Sequence, residues 1–222
     1  GAIVTHSELA RHPVTAGIGC LVKAASSIGS PQIRNAGTIG GNIANASPAA
    51  DLGPPLLVLD ASVHVESLRG VRTLKLENFL VGAGATRLEP DEIITEFSFG
   101  LPDVDFYSSY IKVGLRNALA ISVASAAIFA TSHGNKLDSV RIACGAVARL
   151  PIRMREVEKL VEGEDPSREL FDEIRNVASS SCDPISDIRA TRKYRRHVTG
   201  VIVSRLVEDA FRQLTGYQAA ER

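Results

Sequence analysis

The chain has 222 residues, 45% of them hydrophobic and 23% charged, which is enough apolar material for one large or two small cores. Its 25 basic and 25 acidic side chains balance, so there is no electrostatic case for nucleic acid or an anionic membrane surface as partner. No apolar run has the length of a membrane span, and the expectation is a cytoplasmic protein without a signal peptide. Cys20, Cys144 and Cys182 are scattered and odd in number, which argues against a disulfide framework, a structural zinc site or an iron–sulfur cluster on this chain. His6, His12, His64, His133 and His197 show no ligand spacing, and the HExxH, P-loop and GxSxG signatures are missing. Neither a metal site nor a catalytic side chain is therefore expected.

In chain order, Gly1–Val4 reads as strand. Thr5 to Glu8 has the capping-box pattern of a short helix ended by Pro13. Thr15 to Ile28 reads as a helix with Ile18, Leu21, Val22, Ala25 and Ile28 on one face and Gly29 at its end. Residues 32–51 show neither apolar period and are predicted to be a long ordered loop. Leu56 to Glu66 and Val71 to Leu76 read as strands around a turn at Gly70. Phe79 to Pro90 is a glycine-containing loop, and Ile93, Thr95, Phe97 and Phe99 mark an alternating strand. A boundary falls near 100–105. Beyond it, 106–112, 121–131 and 137–147 read as a three-stranded antiparallel meander with a hairpin at His133–Asn135. Helices follow over 152–161, around 170–178 and over about 191–214, with Gly216 as the last cap. Strands followed by helices define an α+β class.

The loop at 32–51 carries the most chemistry. Gly40 and Gly41 lack a Cβ, so their backbone is free to adopt positive φ and to approach a ligand closely. Successive N–H groups in such a turn suit a phosphate. Thr38, Asn42, Asn45 and Ser47 add donors, and Asp51 adds an acceptor. The alternative is a Gly-Asn surface loop that only turns the chain.

The longer pattern Gln32-Ile33-Arg34-Asn35-x-Gly37-Thr38-Ile39-Gly40-Gly41-Asn42-Ile43-x-Asn45-x-Ser47-Pro48-x-x-Asp51 resembles the second flavin motif of the FAD subunits of molybdenum hydroxylases, the family of xanthine, carbon monoxide and aldehyde dehydrogenases. Three further stretches are similar to the carboxy-terminal domain of those subunits: Lys112-x-x-x-Arg116, Cys144-Gly-Ala-Val-Ala-Arg-Leu-Pro-Ile-Arg153, and Ile185-Ser-Asp187-x-Arg189 through Tyr194-Arg-Arg-His197. The resemblance implies the second subdomain of a vanillyl-alcohol-oxidase-type FAD-binding domain over 1–100. A carboxy-terminal domain over 101–222, a three-stranded sheet with a three-helix bundle, would follow.

The resemblance also implies FAD contacts from Thr38, Ile39, Gly40, Gly41, Asn42 and Asn45, and from Asp51, Lys112, Ile28 and Ile94. Period alone also suits Ile28 and Ile94 as core residues, and Lys112 as a solvated strand end. Arg34, Arg116, Arg189, Arg195 and Arg196 read as surface salt-bridging residues.

The implied function is electron transfer through FAD in a hetero-oligomer. A large subunit would carry the molybdenum cofactor and a small one the 2Fe–2S clusters, with NAD or another acceptor downstream. No nucleic acid or membrane partner is implied. The family's first flavin motif is not found in this sequence. The expectation is therefore weak FAD retention by this chain alone and apolar surface left uncovered on the helix at 15–28 and on the loop at 32–51. Two other readings stay open: an FAD-free scaffold protein, and a stand-alone flavoprotein reductase.

Overall fold

A computed structural model of the chain describes residues 1–116 and 119–218. Helix α1 (His6–Arg11) opens as predicted: the Thr5 hydroxyl accepts from the Glu8 N–H while the Glu8 carboxylate accepts from the Thr5 N–H. Residues 1–4 are not a strand. Ala2 instead donates to the Thr95 carbonyl and accepts from the Gly40 N–H, both at 2.8 Å, and Thr5 forms an isolated antiparallel bridge with Thr38. Pro13–Thr15 takes a 3₁₀ turn, so α2 begins later than predicted, at Gly19, and runs to Ser27. It buries Cys20, Leu21, Ala24 and Ala25 completely. The expected uncovered face is therefore absent from α2; the exposed apolar side chains nearby are Ile3, Val14 and Ile33.

The predicted loop is largely helical. Ser30 caps α3 (Pro31–Ala36), with proline at its first position, and Thr38 caps α4 (Ile39–Ala44) through the Gly41 N–H. Each is too short to display a 3.6-residue period. A third short helix, α5 (Gly53–Val58), replaces the start of the predicted strand at Leu56. All six of its residues are buried, and a segment buried on every side carries no period that separates helix from strand. Strand β1 (Ser62–Ser67) then pairs antiparallel with β2 (Gly70–Lys75). A one-turn helix, α6 (Leu76–Phe79), leads to the hairpin β3 (Leu80–Gly82) and β4 (Ala85–Thr86) inside the predicted loop. Strand β5 (Ile93–Ser98) pairs with the other edge of β1. A register shift at His64/Val65 turns Ile94 and Phe97 inward and leaves Ile93 exposed, a departure from simple alternation.

Strands β6 (Phe106–Val113), β7 (Ala124–His133) and β8 (Lys136–Gly145) form the predicted meander. A fourth strand, β9 (Ile152–Arg153), pairs with β8 where a helix was expected to begin, so the sheet is four-stranded. Helices α7 (Arg155–Val161), α8 (Arg168–Ser180) and α9 (Arg192–Thr215) cover one face. Thr191 and Gly216 bound α9 as expected, and Tyr194 in its first turn is exposed. The α+β class stands, and every strand pair is antiparallel.

The opposite face of this sheet completes the core of the first half, to which Tyr110, Ala127, Phe129 and Ala143 contribute. Helix α2 lies across β6 so closely that a Cβ at Gly19 would fall 2.3 Å from the Ser108 carbonyl oxygen. The Lys23 ammonium donates to the Ser109 hydroxyl at the same seam.

Candidate functional site

The site is built from α4, the turn that follows it, and the end of β6. At the start of α4 the predicted phosphate cradle is already engaged. The N–H groups of Ile39 and Gly40 donate to the Val4 and Ala2 carbonyls, and those of Gly41 and Asn42 to the Thr38 hydroxyl and carbonyl. Neither Gly40 nor Gly41 has positive φ. Both are helical because Thr38 caps the turn, and the glycine at 40 serves packing: a Cβ there would lie 2.8 Å from the Ala2 oxygen. Gly41 is exposed, and a Cβ would meet only the Thr38 hydroxyl, at 3.2 Å. What remains for a ligand at this end is the Thr38 O–H, the exposed Asn45 amide and Asn42. The Asn42 Oδ1 atom is enclosed and has no hydrogen-bond partner.

The turn from Asn45 to Ala50 is pinned from both halves of the chain. Gly84 donates to the Ala46 carbonyl, and Ala146 donates to the Pro48 carbonyl at 2.7 Å. This delivers Asp51 into a buried polar network. Its Oδ1 accepts from the Tyr110 hydroxyl at 2.8 Å and the Ser122 hydroxyl at 2.6 Å. Its Oδ2 accepts from the Lys112 ammonium at 2.6 Å. The two charged side chains are only 11% and 9% exposed. Burial, followed by the adjacent Asp51 carboxylate, pushes the Tyr110 phenol well above its usual range, which keeps it a neutral donor. The partners of Asp51 outside the turn all come from the second half of the chain, so the network joins the halves.

Lys112 also donates to the Ser27 carbonyl at 3.2 Å. An ammonium has three donors, which leaves one for the cleft of about 390 Å³ that Lys112 lines with Ser27, Gly114, Arg116, Leu119 and Ala120. The Arg116 guanidinium folds back onto the Leu119 carbonyl, and Leu119 holds φ +57, an uncommon conformation for a branched side chain. His6, one of the five histidines without ligand spacing, is buried beneath Gly37, and its Nδ1 has no partner among the described residues. Burial lowers its pKa against the pull of Asp51, so it is neutral near pH 7.

The predicted residues fall into two groups. Thr38, Ile39, Gly40, Gly41, Asn42 and Asn45 lie on α4 and its caps. Asp51 and Lys112 meet directly, with Ile28 beside Ser27 at the end of α2. Ile94 packs against the first core, which includes Ile39 and Ile43 of α4, and its neighbour Thr95 is tied to Gly40 through Ala2. Sequence reasoning missed Tyr110 and Ser122. Tyr110 carried a usable signal, since it stands two residues before Lys112 and so shares its face of β6. Arg195, expected at the surface, is buried. It donates to the Val123 and Ala146 carbonyls and to Asp187, tying α9 to the strand ends beside Ser122.

An FAD carries a pyrophosphate, ribityl hydroxyls and a ring with donors and acceptors. The unengaged groups here suit that chemistry: one ammonium proton of Lys112, the Thr38 hydroxyl, the Asn42 and Asn45 amides, and the remaining acceptor capacity of Asp51. The residues present therefore fit an FAD.

Residues 1–102 match the family described as FAD binding domain in molybdopterin dehydrogenase, and residues 109–210 match CO dehydrogenase flavoprotein C-terminal domain. The chain is 32% identical to the nicotinate dehydrogenase FAD-subunit of Eubacterium barkeri, over 97% of this chain and 75% of that one. It is 33% identical to the glyceraldehyde dehydrogenase medium chain of Sulfolobus acidocaldarius, over 92% and 72%. A solved carbon monoxide dehydrogenase from Hydrogenophaga pseudoflava superposes with a TM-score of 0.91 at 26% identity, covering 97% of this chain and 75% of its counterpart. The chain belongs to the family of FAD-binding subunits of molybdenum hydroxylases. FAD is the cofactor of that family, and its members are subunits of oxidoreductases.

Proposed function

We propose that this chain is the FAD-carrying electron-transfer subunit of a cytoplasmic molybdenum-containing dehydrogenase. It would receive electrons from 2Fe–2S clusters on a small partner subunit, with the molybdenum cofactor on a large one, and pass them to NAD or another acceptor. We also divide it into an FAD-binding unit, 1–100, and a carboxy-terminal unit, 101–222. No helix among the described residues is long and apolar enough to cross a membrane.

The observation that carries the proposal is the buried Lys112–Asp51 pair, which sets an ammonium beside an open cleft at the seam between the two halves. FAD, when bound, supplies the two-electron and one-electron chemistry. Lys112 would place positive charge against the cofactor, on the pyrophosphate or on the ring where negative charge accumulates. Asp51, held by Tyr110 and Ser122, fixes that ammonium in position. Thr38, Asn42 and Asn45 would bind from α4, with Gly41 allowing close approach, and Ile28, Ile39, Gly40 and Ile94 would shape the apolar walls.

Titration of FAD into the full chain, followed by flavin fluorescence, tests the assignment. Lys112→Met removes a charge-assisted hydrogen bond, which corresponds to a loss of affinity of roughly 10- to 100-fold. Gly41→Val should block approach while far-UV circular dichroism stays unchanged. Unaltered FAD affinity in both variants would move the site elsewhere.

A further inference from the structure

A half-buried guanidinium outside the flavin cleft has no hydrogen-bond or ion-pair partner among the described residues. Arg141 lies on β8 with its Cζ 4.6 Å from the centre of the Phe129 ring. Its Nε is fully enclosed and unbonded, and it makes no hydrogen bond or ion pair among the described residues. Every other described arginine that is buried or half-buried (Arg34, Arg72, Arg153, Arg189, Arg195 and Arg196) donates to a carbonyl or a carboxylate. A polar atom that is enclosed without a hydrogen bond is costly and calls for an explanation, and an absent ion is one. The two carboxylates in its neighbourhood are already committed: Asp60 pairs with Lys75 at 2.6 Å, and Glu158 with Arg153 at 2.7 Å. Arg141 therefore has the Phe129 ring face and two already paired carboxylates near it, but no hydrogen-bonded counter-charge of its own.

Arg141 opens into a cleft of about 370 Å³ between the two halves, lined also by Asp60, Ser62, Lys75, Ser98 and Phe99. The Ser62 hydroxyl is uncommitted, and the Ser98 hydroxyl bonds His64 Nε2 at 2.7 Å. Arg141 shares a face of the sheet with Lys112, because Phe129 opposes Arg141 and Ser125 opposes Lys112. Strand geometry separates the two Cα atoms by about 17 Å, so this cleft is not the flavin cleft.

We propose that the Arg141 cleft binds a small oxyanion, a phosphate group or a carboxylate, that bridges the two halves of the chain. The planar guanidinium offers its two terminal nitrogens as a fork to one oxyanion. Ser62 and Lys75, the latter paired with Asp60, also line the cleft, and the volume admits a group larger than a bare ion. The site does not depend on how the flavin is bound.

The test uses the full chain with about 20 mM sodium phosphate or sodium acetate, against sodium chloride of matched ionic strength, read by thermal unfolding. A millimolar site should raise Tm by about 3 °C or more, and Arg141→Met should remove the rise. A rise with acetate but not phosphate assigns the site to carboxylates, the reverse to phosphates, and either supports the proposal. No rise with either ion, or a rise that persists in Arg141→Met, overturns it. Should Arg141→Met fail to fold, phenylglyoxal labelling of the unaltered chain decides: the anion should protect Arg141 at least fivefold, a fraction set by the same occupancy, and equal labelling with and without it overturns the proposal.

Discussion

Lys112→Met isolates the energetics of the buried ion pair. Methionine keeps most of the apolar stem and deletes the ammonium that meets Asp51 at 2.6 Å. Breaking a buried pair from one side costs about 3–5 kcal/mol, because the remaining charge is left uncompensated. Asp51 keeps the hydroxyl donors of Tyr110 and Ser122, which discounts that figure to roughly 2–4 kcal/mol. For a chain of this size, each kcal/mol moves Tm by about 2–4 °C, so the flavin-free variant should melt roughly 5–15 °C below the parent. Asp51→Asn in the same background removes the stranded charge while keeping an acceptor for both hydroxyls, and should restore at least half of the loss. Thermal unfolding and denaturant titration of the parent, both single variants and the double variant close a double-mutant cycle. If Lys112→Met melts with the parent, or the double variant is no more stable than Lys112→Met, the pair is not the electrostatic anchor of this seam.

Gly40→Ala should destabilise by about 1–3 kcal/mol through overpacking against Ala2, while Gly41→Ala should cost clearly less; denaturant midpoints of the two variants measure the difference. Hydrogen bonds from Arg72 hold the Glu92 carboxyl down to about 2. Its stabilising contribution is then full above the unfolded-state value of about 4.3 and is lost as pH falls toward 2. Glu92→Gln should be less stable than the parent at pH 7, the gap closing as pH drops through that window; a gap that is constant with pH would contradict the assignment. Burial raises all three thiols, Cys20 to about 12, Cys182 to about 11 and Cys144 well above its usual value. A disulfide-exchange reagent at pH 8 should therefore find no fast-reacting thiol in the native chain and three after denaturation.

The parts of the fold that were legible in the sequence had local causes. Thr5 with Glu8, Thr191 and Gly216 announce helix ends through their own hydrogen bonds and backbone, and the strands of the second sheet show their edges through His133-Gly-Asn. The misread segments lack such a cause or are too short to display it. Helices α3 and α4 each span six residues, under two turns, and α5 is enclosed on every side. β9 exists only because β8 offers it an edge. The site divides in the same way. Its loop residues were visible as a motif, whereas the engagement of their N–H groups by Val4 and Ala2 depends on chain folded back from a distance. The same holds for Asp51, whose meeting with Tyr110, Lys112 and Ser122 no local rule foretells. Arg141 was unreadable for the converse reason: nothing in the sequence separates a lone arginine from its salt-bridged neighbours.

The Asp51–Lys112 contact spans 61 positions of sequence, and this orders events during synthesis. At about 5–20 residues per second, the carboxylate leaves the ribosome some 3–12 s before the ammonium that will neutralise it. Through that interval the turn at 46–51 has no counter-charge to bury against, nor the Ala146 N–H that later holds Pro48. A loop made before the second sheet is thus completed only when that sheet closes over it. The flavin pocket proposed around this pair would be complete only after the second sheet has been made, so cofactor loading would act as a checkpoint on the folding of both halves rather than of the first.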